Sequence, residues 1–326
     1  MLWLHAFVVC SCVRAGFEAP GRSGTDAAVD VAAVADVVDD ASGELDGDAS
    51  GDAGPCRSWG PFSAPVKLTE VNTGYDDWAP VLGAGGRQLV LASYRPGGTG
   101  DSDIWQYTRA APDQPFAAPQ PVAAVNSTSY ECCPVLSADG LTLIFGTDRR
   151  TPLTEVFIAE RKSPGDAFGP PAPLDAVNDN ITRPQHLSAD GLTLWLTSHR
   201  NIGRSDVFVA TRTAPGAPFS TPVLVPSLSS SENEHSVTLT RDGLEAIFSS
   251  NRAGGKGKQD IWLARRSGPD ADFGTAENLA ALNTSWDDTF VALSPDGSTL
   301  YFNRDTSLSG GRDADVWVAH RTCLDR

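Results

Sequence analysis

After residue 56 the chain alternates short apolar runs with turn-forming stretches rich in Gly, Pro, Asp and Ser. Runs such as LTLIFGT and DVFVATR are rich in Val, Ile, Phe and Thr, and their apolar residues either alternate with polar ones or follow one another directly. Both patterns are typical of β-strands, the first half-buried and the second buried on both faces. The pattern therefore predicts an all-β head.

The apolar runs repeat in a fixed order. One element ends in a turn glycine, and these glycines stand at 86, 140, 191, 243 and 297, at intervals of 54, 51, 52 and 54 residues. A second element is DIWQYTR, EVFIAER, DVFVATR, DIWLARR and DVWVAHR, and a third is FSAPVKL, FAAPQPV, FGPPAPL, FSTPVLV and FGTAENL. Three elements found five times in one cyclic order predict a repeated supersecondary unit.

Each unit contains four predicted strands, which we name A to D in chain order. A and B flank the turn glycine, C is the DVFVATR element, and D follows a Pro/Gly loop. The octamer LSADGLTL, present twice, is the A–B hairpin, and its Asp-Gly predicts a type I′ turn. Four strands per period of about 50 residues are typical of a β-propeller blade.

The order of the elements predicts how the ring closes. The head begins with a lone strand D, FSAPVKL, and ends after strand C of the last unit. We therefore expect five four-stranded blades, the last completed by the N-terminal strand, which leaves no open sheet edge. Cys56 and Cys323 flank this junction, and we expect a disulfide of about 4–5 kcal/mol there, with two free thiols as the alternative. The adjacent Cys132 and Cys133 are either buried or redox-active.

The segments DDWAPVLGAGG, YECCPVLSADGLTLIFGTDR and DDTFVALSPDGSTLYFNRD resemble the WD40-like propeller repeat of the TolB type. That family's pattern places an acid before strand A, a D-G turn, an S-x-R after strand B and D-I-[WY] in strand C. The resemblance implies a propeller fold. It also implies the function typical of this class, which consists of envelope-associated binding or scaffold proteins. Unit one lacks the turn Asp, unit three has Thr182 and Arg183 in place of an acid, and unit five moves its arginine to Arg304.

The N-terminal segment predicts export. Leu2–Val9 is an apolar run of signal-peptide length, and the following VCSC resembles a bacterial lipobox, which implies lipid attachment to Cys12. The alternative is a cleaved secretory signal without lipid. We expect a signal at residues 1–12, a disordered acidic linker at 13–55 and the propeller at 56–326. The location would be the cell envelope, as an outer-membrane lipoprotein facing the periplasm or the surface.

The net charge of −16 argues against nucleic acid as a partner, because phosphate binding needs a basic footprint. Much of the charge is local, since Ser23–Cys56 contains eight Asp, one Glu and no Lys or Arg. Such a self-repelling stretch without aromatic residues is typical of an extended linker. We expect a monomer that contacts the membrane only through its lipid.

Two repeated sets of polar residues have a structural interpretation. Asp139, Asp190, Asp242 and Asp296 lie in the A–B turns, where an Asp side chain can bond its own backbone. Arginines follow strand B and acids begin strand C, so ion pairs across the B–C hairpin are the natural expectation. The predicted pairs are Arg95 with Asp103, Arg149 with Glu155, Arg200 with Asp206, and Arg252 with Asp260.

A third set of acids precedes strand A, and we expect it to ring the mouth of the central channel. The residues are Asp76, Asp77, Glu131, Glu234, Asp287 and Asp288, with Glu232 nearby. Unscreened carboxylates in a ring favour a divalent cation such as calcium or a basic ligand, and solvated loop acids are the alternative. No other cofactor is expected.

The D–A crossovers and B–C loops share one face, and the B–C loops vary most between units. Variable loops on a rigid scaffold are where recognition usually occurs, so the sequence predicts a non-enzymatic module that binds an envelope protein or a saccharide on this face. Nucleophile-elbow, HExxH and phosphate-loop motifs are absent, and only His186 and His235 are expected near the channel. The alternative is a five-bladed glycoside hydrolase using Asp77, Glu131 and Asp288.

Overall fold

The computed structural model describes residues 56, 58–200, 203–307 and 313–325. The predicted signal segment, the lipidated Cys12 and the acidic linker lie outside these residues. None of the helical structure found in the described part of the chain has the length and apolar character needed to cross a bilayer.

The described residues form 20 β-strands and one short 3-10 helix. The strands are β1 (Val66–Lys67); in blade one β2 (Asp77–Gly83), β3 (Gln88–Ser93), β4 (Asp103–Thr108) and β5 (Gln120–Pro121); and in blade two β6 (Glu131–Leu136), β7 (Thr142–Thr147), β8 (Glu155–Glu160) and β9 (Ala172–Pro173). Blade three contains β10 (Thr182–Leu187), β11 (Thr193–Ser198), β12 (Asp206–Thr211) and β13 (Val223–Leu224). Blade four contains β14 (Glu234–Leu239), β15 (Glu245–Ser250), β16 (Asp260–Arg265) and β17 (Glu277–Asn278). Blade five contains β18 (Asp287–Leu293), β19 (Thr299–Asp305), β20 (Ala314–His320) and β1.

Five antiparallel four-stranded sheets confirm the predicted five-bladed propeller. Within each blade the strands lie in the order A, B, C, D, and the A strands of successive blades contact one another around the axis. The apolar core is divided into clusters that lie between neighbouring blades. For example, Val90 and Ile104 of blade one pack with Leu143 and Phe157 of blade two.

The ring closes as the sequence predicts. β1 pairs with β20, in the register Val66 opposite Val318. A disulfide joins Cys56 to Cys323, and Trp59 forms an isolated β-bridge with Cys323. The two ends of the head are therefore held in one blade by strand pairing and by a covalent bond.

The A–B turns differ from the predicted type I′ geometry, which needs positive φ at two central residues. Within the A–B turn of blade two only Gly140 has positive φ (74°), and its N–H donates to the Ser137 carbonyl at 2.8 Å. The Asp139 side chain accepts the Leu141 N–H at 2.9 Å, as predicted for an Asp that bonds its own backbone. The turn is longer than a two-residue hairpin. In it, the capping Asp side chain and one glycine with positive φ are enough to reverse the chain.

An arginine follows each strand C and stacks on an aromatic ring near the start of strand D. The distances from the guanidinium carbon to the ring centre are 4.4 Å for Arg109 on Phe116, 4.3 Å for Arg161 on Phe168, 4.6 Å for Arg212 on Phe219, 4.6 Å for Arg266 on Phe273, and 4.3 Å for Arg321 on Trp59. This contact stabilises each C–D connection, including the one that the chain ends form in blade five.

Candidate functional site

The predicted channel-mouth acids are mostly buried inside their own blades. Asp77, Glu131, Glu234 and Asp288 each have a relative exposure of 0%. They lie at the start of strand A, immediately after the D–A crossover reaches the propeller axis. Their carboxylates point into the blade and are surrounded by hydrogen-bond donors.

Asp77 shows the arrangement in blade one. Its carboxylate accepts hydrogen bonds from the Ser93 hydroxyl at 2.6 Å and the Thr73 hydroxyl at 2.7 Å. The guanidinium of Arg95 completes the site as an ion pair with Oδ1, and the same Nη2 donates to the Val71 carbonyl at 3.1 Å. A buried carboxylate with this many donors is neutralised and satisfied in place.

The same pair recurs in three more blades. The acid–arginine distances are 2.9 Å for Glu131–Arg149, 3.0 Å for Glu234–Arg252 and 2.7 Å for Asp288–Arg304. In each case a Ser or Thr four residues before the acid also donates its backbone N–H and its hydroxyl: Ser127, Ser230 and Thr284. The repeated set is therefore a structural element of the blade.

The predicted pairing of these arginines with the acids of strand C is wrong. Arg95 bonds Asp77 instead of Asp103, whose carboxylate accepts the backbone N–H groups of Thr99 and Gly100 and so caps the B–C loop. The reason is register, because Asp77 lies directly opposite Ser93 across the A–B pair, two residues from Arg95. Asp260 caps its loop in the same way, through the Lys256 N–H at 2.8 Å.

Blade three departs from this scheme, as its sequence suggested. Thr182 stands where the other blades have an acid, and its hydroxyl lies 3.0 Å from that of Ser198. Arg200 keeps the carbonyl contact, to Val177 at 2.5 Å. Burial lowers the pKa of Arg200, and the charge of Asp179 opposes this shift only in part.

Two of the buried acids have a raised pKa. Burial raises the pKa of Glu234, and hydrogen bonds from Ser230 and the charge of Arg252 counteract it. Burial likewise raises the pKa of Asp288 against the charge of Arg304. The charge of the arginine thus offsets the cost of burying these carboxylates only in part. Because each acid is paired, the premise of a ring of unscreened charge at the channel does not hold.

The two remaining predicted acids lie nearer the surface. Asp76 accepts the Ala314 N–H at 2.9 Å and so links blades one and five. Asp287 accepts the Gln259 N–H at 3.1 Å, lies 3.7 Å from Lys258 Nζ, and has a pKa raised mainly by burial. Both carboxylates therefore help to fix crossovers between neighbouring blades.

A small cavity lies where the A strands of four blades meet. Its volume is about 20 Å³, and it is lined by Pro80, Pro134, Pro184, Gln185 and Phe290 with their neighbours. That volume is close to the space needed for one water molecule. Ala79, Cys133 and Phe290 adopt positive φ (50°, 51° and 50°) at bulges that turn the strands inward at this level.

Four aromatic side chains near this cavity contact one another, and one of them, Phe290, also lines it. Trp78 stacks on Tyr130 with ring centres 5.9 Å apart, meets Phe290 edge-on at 5.0 Å, and Tyr94 lies 6.4 Å from Tyr130. These four residues come from blades one, two and five. We call them the aromatic cluster.

Basic and imidazole side chains occupy the corresponding positions in blades three and four. Arg183 and His235 immediately follow the first position of their A strands, as Trp78 does, and His199 is the counterpart of Tyr94 in the B–C loop. Burial, together with the charges of Arg183 and His199, lowers the pKa of His235 to about 4. Burial also lowers the pKa of His186 to about 4, with its Nδ1 3.4 Å from the Thr238 hydroxyl. We call Arg183, His199 and His235 the basic sector.

The described residues offer one group of three His, Cys, Asp or Glu side chains close enough to share a metal ion: Cys56, Cys323 and Asp325. Cys56 and Cys323 are joined by the disulfide, so their sulfur atoms are not available as thiolate ligands. The acids expected to hold calcium do not form such a group.

No family model matches the sequence, and no curated protein matches it. In fold, the head is similar to a thermostable family-43 glycoside hydrolase, with 13% identity, a TM-score of 0.54, and 77% of this chain and 92% of that chain covered. It is similar to a family 117 glycoside hydrolase from the marine bacterium Zobellia galactanivorans, with 13% identity, a TM-score of 0.52, and 82% and 92% covered. TolB from Acinetobacter baumannii aligns with 13% identity, a TM-score of 0.48, and 78% of this chain but 56% of that chain covered. The likenesses to the two glycoside hydrolases concern the fold alone.

Proposed function

We propose that the head is a non-enzymatic binding module whose partner, an envelope protein or a saccharide, docks on the face of the D–A crossovers and B–C loops. One observation carries the proposal. The acids that the repeats place in equivalent positions are bonded to arginines inside the blades, whereas the side chains that differ between blades form the mouth. Differences displayed on a repeated scaffold are what recognition requires.

The burial of the acids also bears on the glycoside hydrolase alternative. Hydrolysis needs two carboxylates about 5–9 Å apart that both reach one sugar. Asp77, Glu131 and Asp288 instead have a relative exposure of 0%, each within its own blade. The axial cavity of about 20 Å³ admits no sugar ring. These features favour binding over hydrolysis.

The aromatic cluster and the basic sector, which we take to form the mouth, favour particular chemical groups on a partner. Aromatic faces such as those of Trp78 and Tyr130 pack well on sugar rings and on apolar side chains. An arginine such as Arg183 recognises carboxylates through paired N–H donors. We infer a partner that presents a ring or apolar group to blades one and two and acidic groups to blades three and four.

Export and anchoring belong to the same proposal. The disulfide between Cys56 and Cys323 supports an oxidising compartment, because cytosolic thiols are normally kept reduced. We propose that Cys12 carries lipid and that residues 13–55 separate the head from the membrane. The mass of the mature N-terminal peptide tests this: a diacylated Cys12 supports the anchor, and an unmodified peptide cleaved elsewhere contradicts it.

Partner binding is tested with the full-length chain as bait. Envelope extracts and a glycan array are probed with the wild type, with Arg183→Ala and Tyr130→Ala, and with Lys162→Ala, an exposed residue of a C–D loop on the opposite face. We expect one partner to be retained by the wild type and by Lys162→Ala, and to be lost or weakened about tenfold by the two mouth variants. Equal retention by all four proteins would show that the mouth is not the binding surface.

A further inference from the structure

A second concave site lies between blades four and five, away from the mouth. Its cavity has a volume of about 250 Å³. The walls are mainly apolar and come from the N-terminal segment, β16 and the crossover after β17. The apolar wall residues are Trp59, Phe62, Leu263, Leu279 and Leu282. None of them belongs to the aromatic cluster or to the basic sector.

A buried arginine contributes a donor to this crevice. Arg321 has a relative exposure of 4%. Its Nε donates to the Gly297 carbonyl at 2.8 Å, and its Nη1 donates to Glu245 Oε2 at 2.6 Å. Its Nη2 is buried and has no hydrogen-bond partner among the described residues. An unsatisfied guanidinium nitrogen is costly to bury, so the site favours an acceptor there.

Asn278 also lines the crevice and carries a second unsatisfied donor. Its Oδ1 accepts from Asn283 Nδ2 at 3.1 Å, and this bond fixes the orientation of the amide. Its Nδ2 is buried without a partner in the described part of the chain. Because both unsatisfied groups are N–H donors, a ligand that satisfies them would supply acceptor lone pairs, such as those of a carboxylate.

The arginine of blade two that is equivalent to Arg321 has different hydrogen-bond partners. Arg161 donates from its two terminal nitrogens to the Asp166 carbonyl at 3.4 Å and to Gln88 Oε1 at 2.8 Å. Asp166 belongs to the continuous C–D loop of that blade. In blade five the C–D connection consists of the two chain ends joined by Cys56 and Cys323, and Arg321 receives no such carbonyl from the residues described there.

The charges around Arg321 alternate in sign. Glu277 lies 3.2 Å from Arg265, Arg265 lies 2.8 Å from Glu245, and Glu245 lies 2.6 Å from Arg321. The series ends at Arg321, which is the least exposed member and lines the crevice. A negative charge at that point would continue the alternation, which favours a carboxylate over a neutral carbonyl.

We propose that this crevice binds a compact apolar carboxylate, held by Arg321 Nη2 and Asn278 Nδ2, with its ring or branched alkyl group among the apolar walls. A cavity of about 150 Å³ is known to accommodate benzene, so the larger crevice has room for a ring and a carboxylate. Two sources share this chemistry: a free small acid, and the C-terminal residue of a peptide.

The test uses the purified full-length chain and ligand-observed NMR titrations. The probes are phenylacetate, its amide phenylacetamide, and a short peptide ending in phenylalanine with a free or an amidated C-terminus. Ala281→Trp fills the exposed rim of the crevice. Ala124→Trp places the same side chain at the equivalent exposed position of blade one and is the control. Asn278→Leu removes one donor and copies Leu224, which occupies the same register position in blade three.

We expect saturable binding of a carboxylate probe, with the matching amide weaker by about tenfold or more. Binding should be lost in Ala281→Trp, weakened in Asn278→Leu and kept in Ala124→Trp. Binding of the peptide alone identifies a chain terminus as the source, and binding of phenylacetate as well identifies a free acid. Amides that bind as tightly as the acids, binding that survives Ala281→Trp, or no saturable binding by either carboxylate overturns the proposal.

Discussion

Arg304 donates from Nε to Asp288 Oδ1 at 2.7 Å, and the two residues lie directly opposite each other on β18 and β19. In blade one the residue opposite the acid is Ser93, and the arginine follows two positions later. Both blades reach the same buried pair, with the arginine at different positions. This equivalence indicates that the charge pairing itself stabilises the blade.

We predict that breaking one pair destabilises the fold. Glu234→Gln leaves Arg252 without its carboxylate and should lower the free energy of unfolding by about 2–4 kcal/mol. Urea denaturation monitored by tryptophan fluorescence measures the loss. Asp242→Asn, in an A–B turn on the surface, is the control and should change stability by less than about 1 kcal/mol. A similar small effect for both variants would contradict a structural role for the pair.

We predict a loss of stability on mild acidification. Burial lowers the pKa values of His186 and His235 from 6.5 to about 4 in the folded protein. As the pH falls, the two histidines therefore take up protons in the unfolded chain at a higher pH than in the folded protein. Their stabilising contribution is complete above pH 6.5 and is lost as the pH falls toward about 4. The raised pKa values of Glu234 and Asp288 act in the opposite direction, because their contribution is larger at low pH.

Comparison with variants isolates the histidine contribution. His186→Gln/His235→Gln should flatten the dependence of unfolding free energy on pH between pH 6.5 and 4 by on the order of 1–3 kcal/mol. His320→Gln, on the exposed end of β20, is the matched control. An unchanged slope in the double variant would show that the two imidazoles do not carry this dependence.

The Cys56–Cys323 disulfide should contribute strongly to stability. It closes a loop with a sequence separation of 267, for which the chain-entropy model gives about 4–5 kcal/mol. Cys56→Ser/Cys323→Ser should therefore unfold at lower denaturant concentration, and a reductant should have the same effect on the wild type alone. Peptide mapping without reductant should recover the two cysteines in one cross-linked fragment. Alkylation of both residues in the native protein would contradict the disulfide.

Cys132 and Cys133 should behave as inert buried thiols. Their exposures are 0% and 2%, and their sulfur atoms lie 2.9 Å apart in blade two. Thiol reactivity requires an accessible thiolate, so a chromogenic disulfide reagent should label neither residue in the folded protein and both after denaturation. Rapid labelling under native conditions would instead indicate a redox-active pair.

The fold was predictable because its signals are periodic. Turn glycines such as Gly140 and Gly191, together with the strand D and strand C elements, repeat five times, and the lone first strand D implies ring closure. The turn type was predicted wrongly, because Asp-Gly alone does not distinguish a two-residue hairpin from the longer turn that Ser137 closes.

The site was less predictable, because side-chain direction within a strand depends on bulges and register. The acids before strand A were expected to face the channel, but four of them, Asp77, Glu131, Glu234 and Asp288, are buried in their own blades. One signal was available in the sequence: Thr73, Ser127, Ser230 and Thr284 each stand four residues before an acid. That spacing indicates a carboxylate capped by its own loop. The clustering of Trp78 with Phe290, which are distant in sequence, had no local signal.

We propose that each buried acid stabilises its own blade and does not catalyse hydrolysis. The most direct measurement is turnover of a broad glycan panel by the full-length wild type and by Asp77→Asn/Asp288→Asn. We expect no turnover by either protein and a lower free energy of unfolding for the variant. Hydrolysis of any glycan by the wild type that disappears in a folded double variant would contradict it.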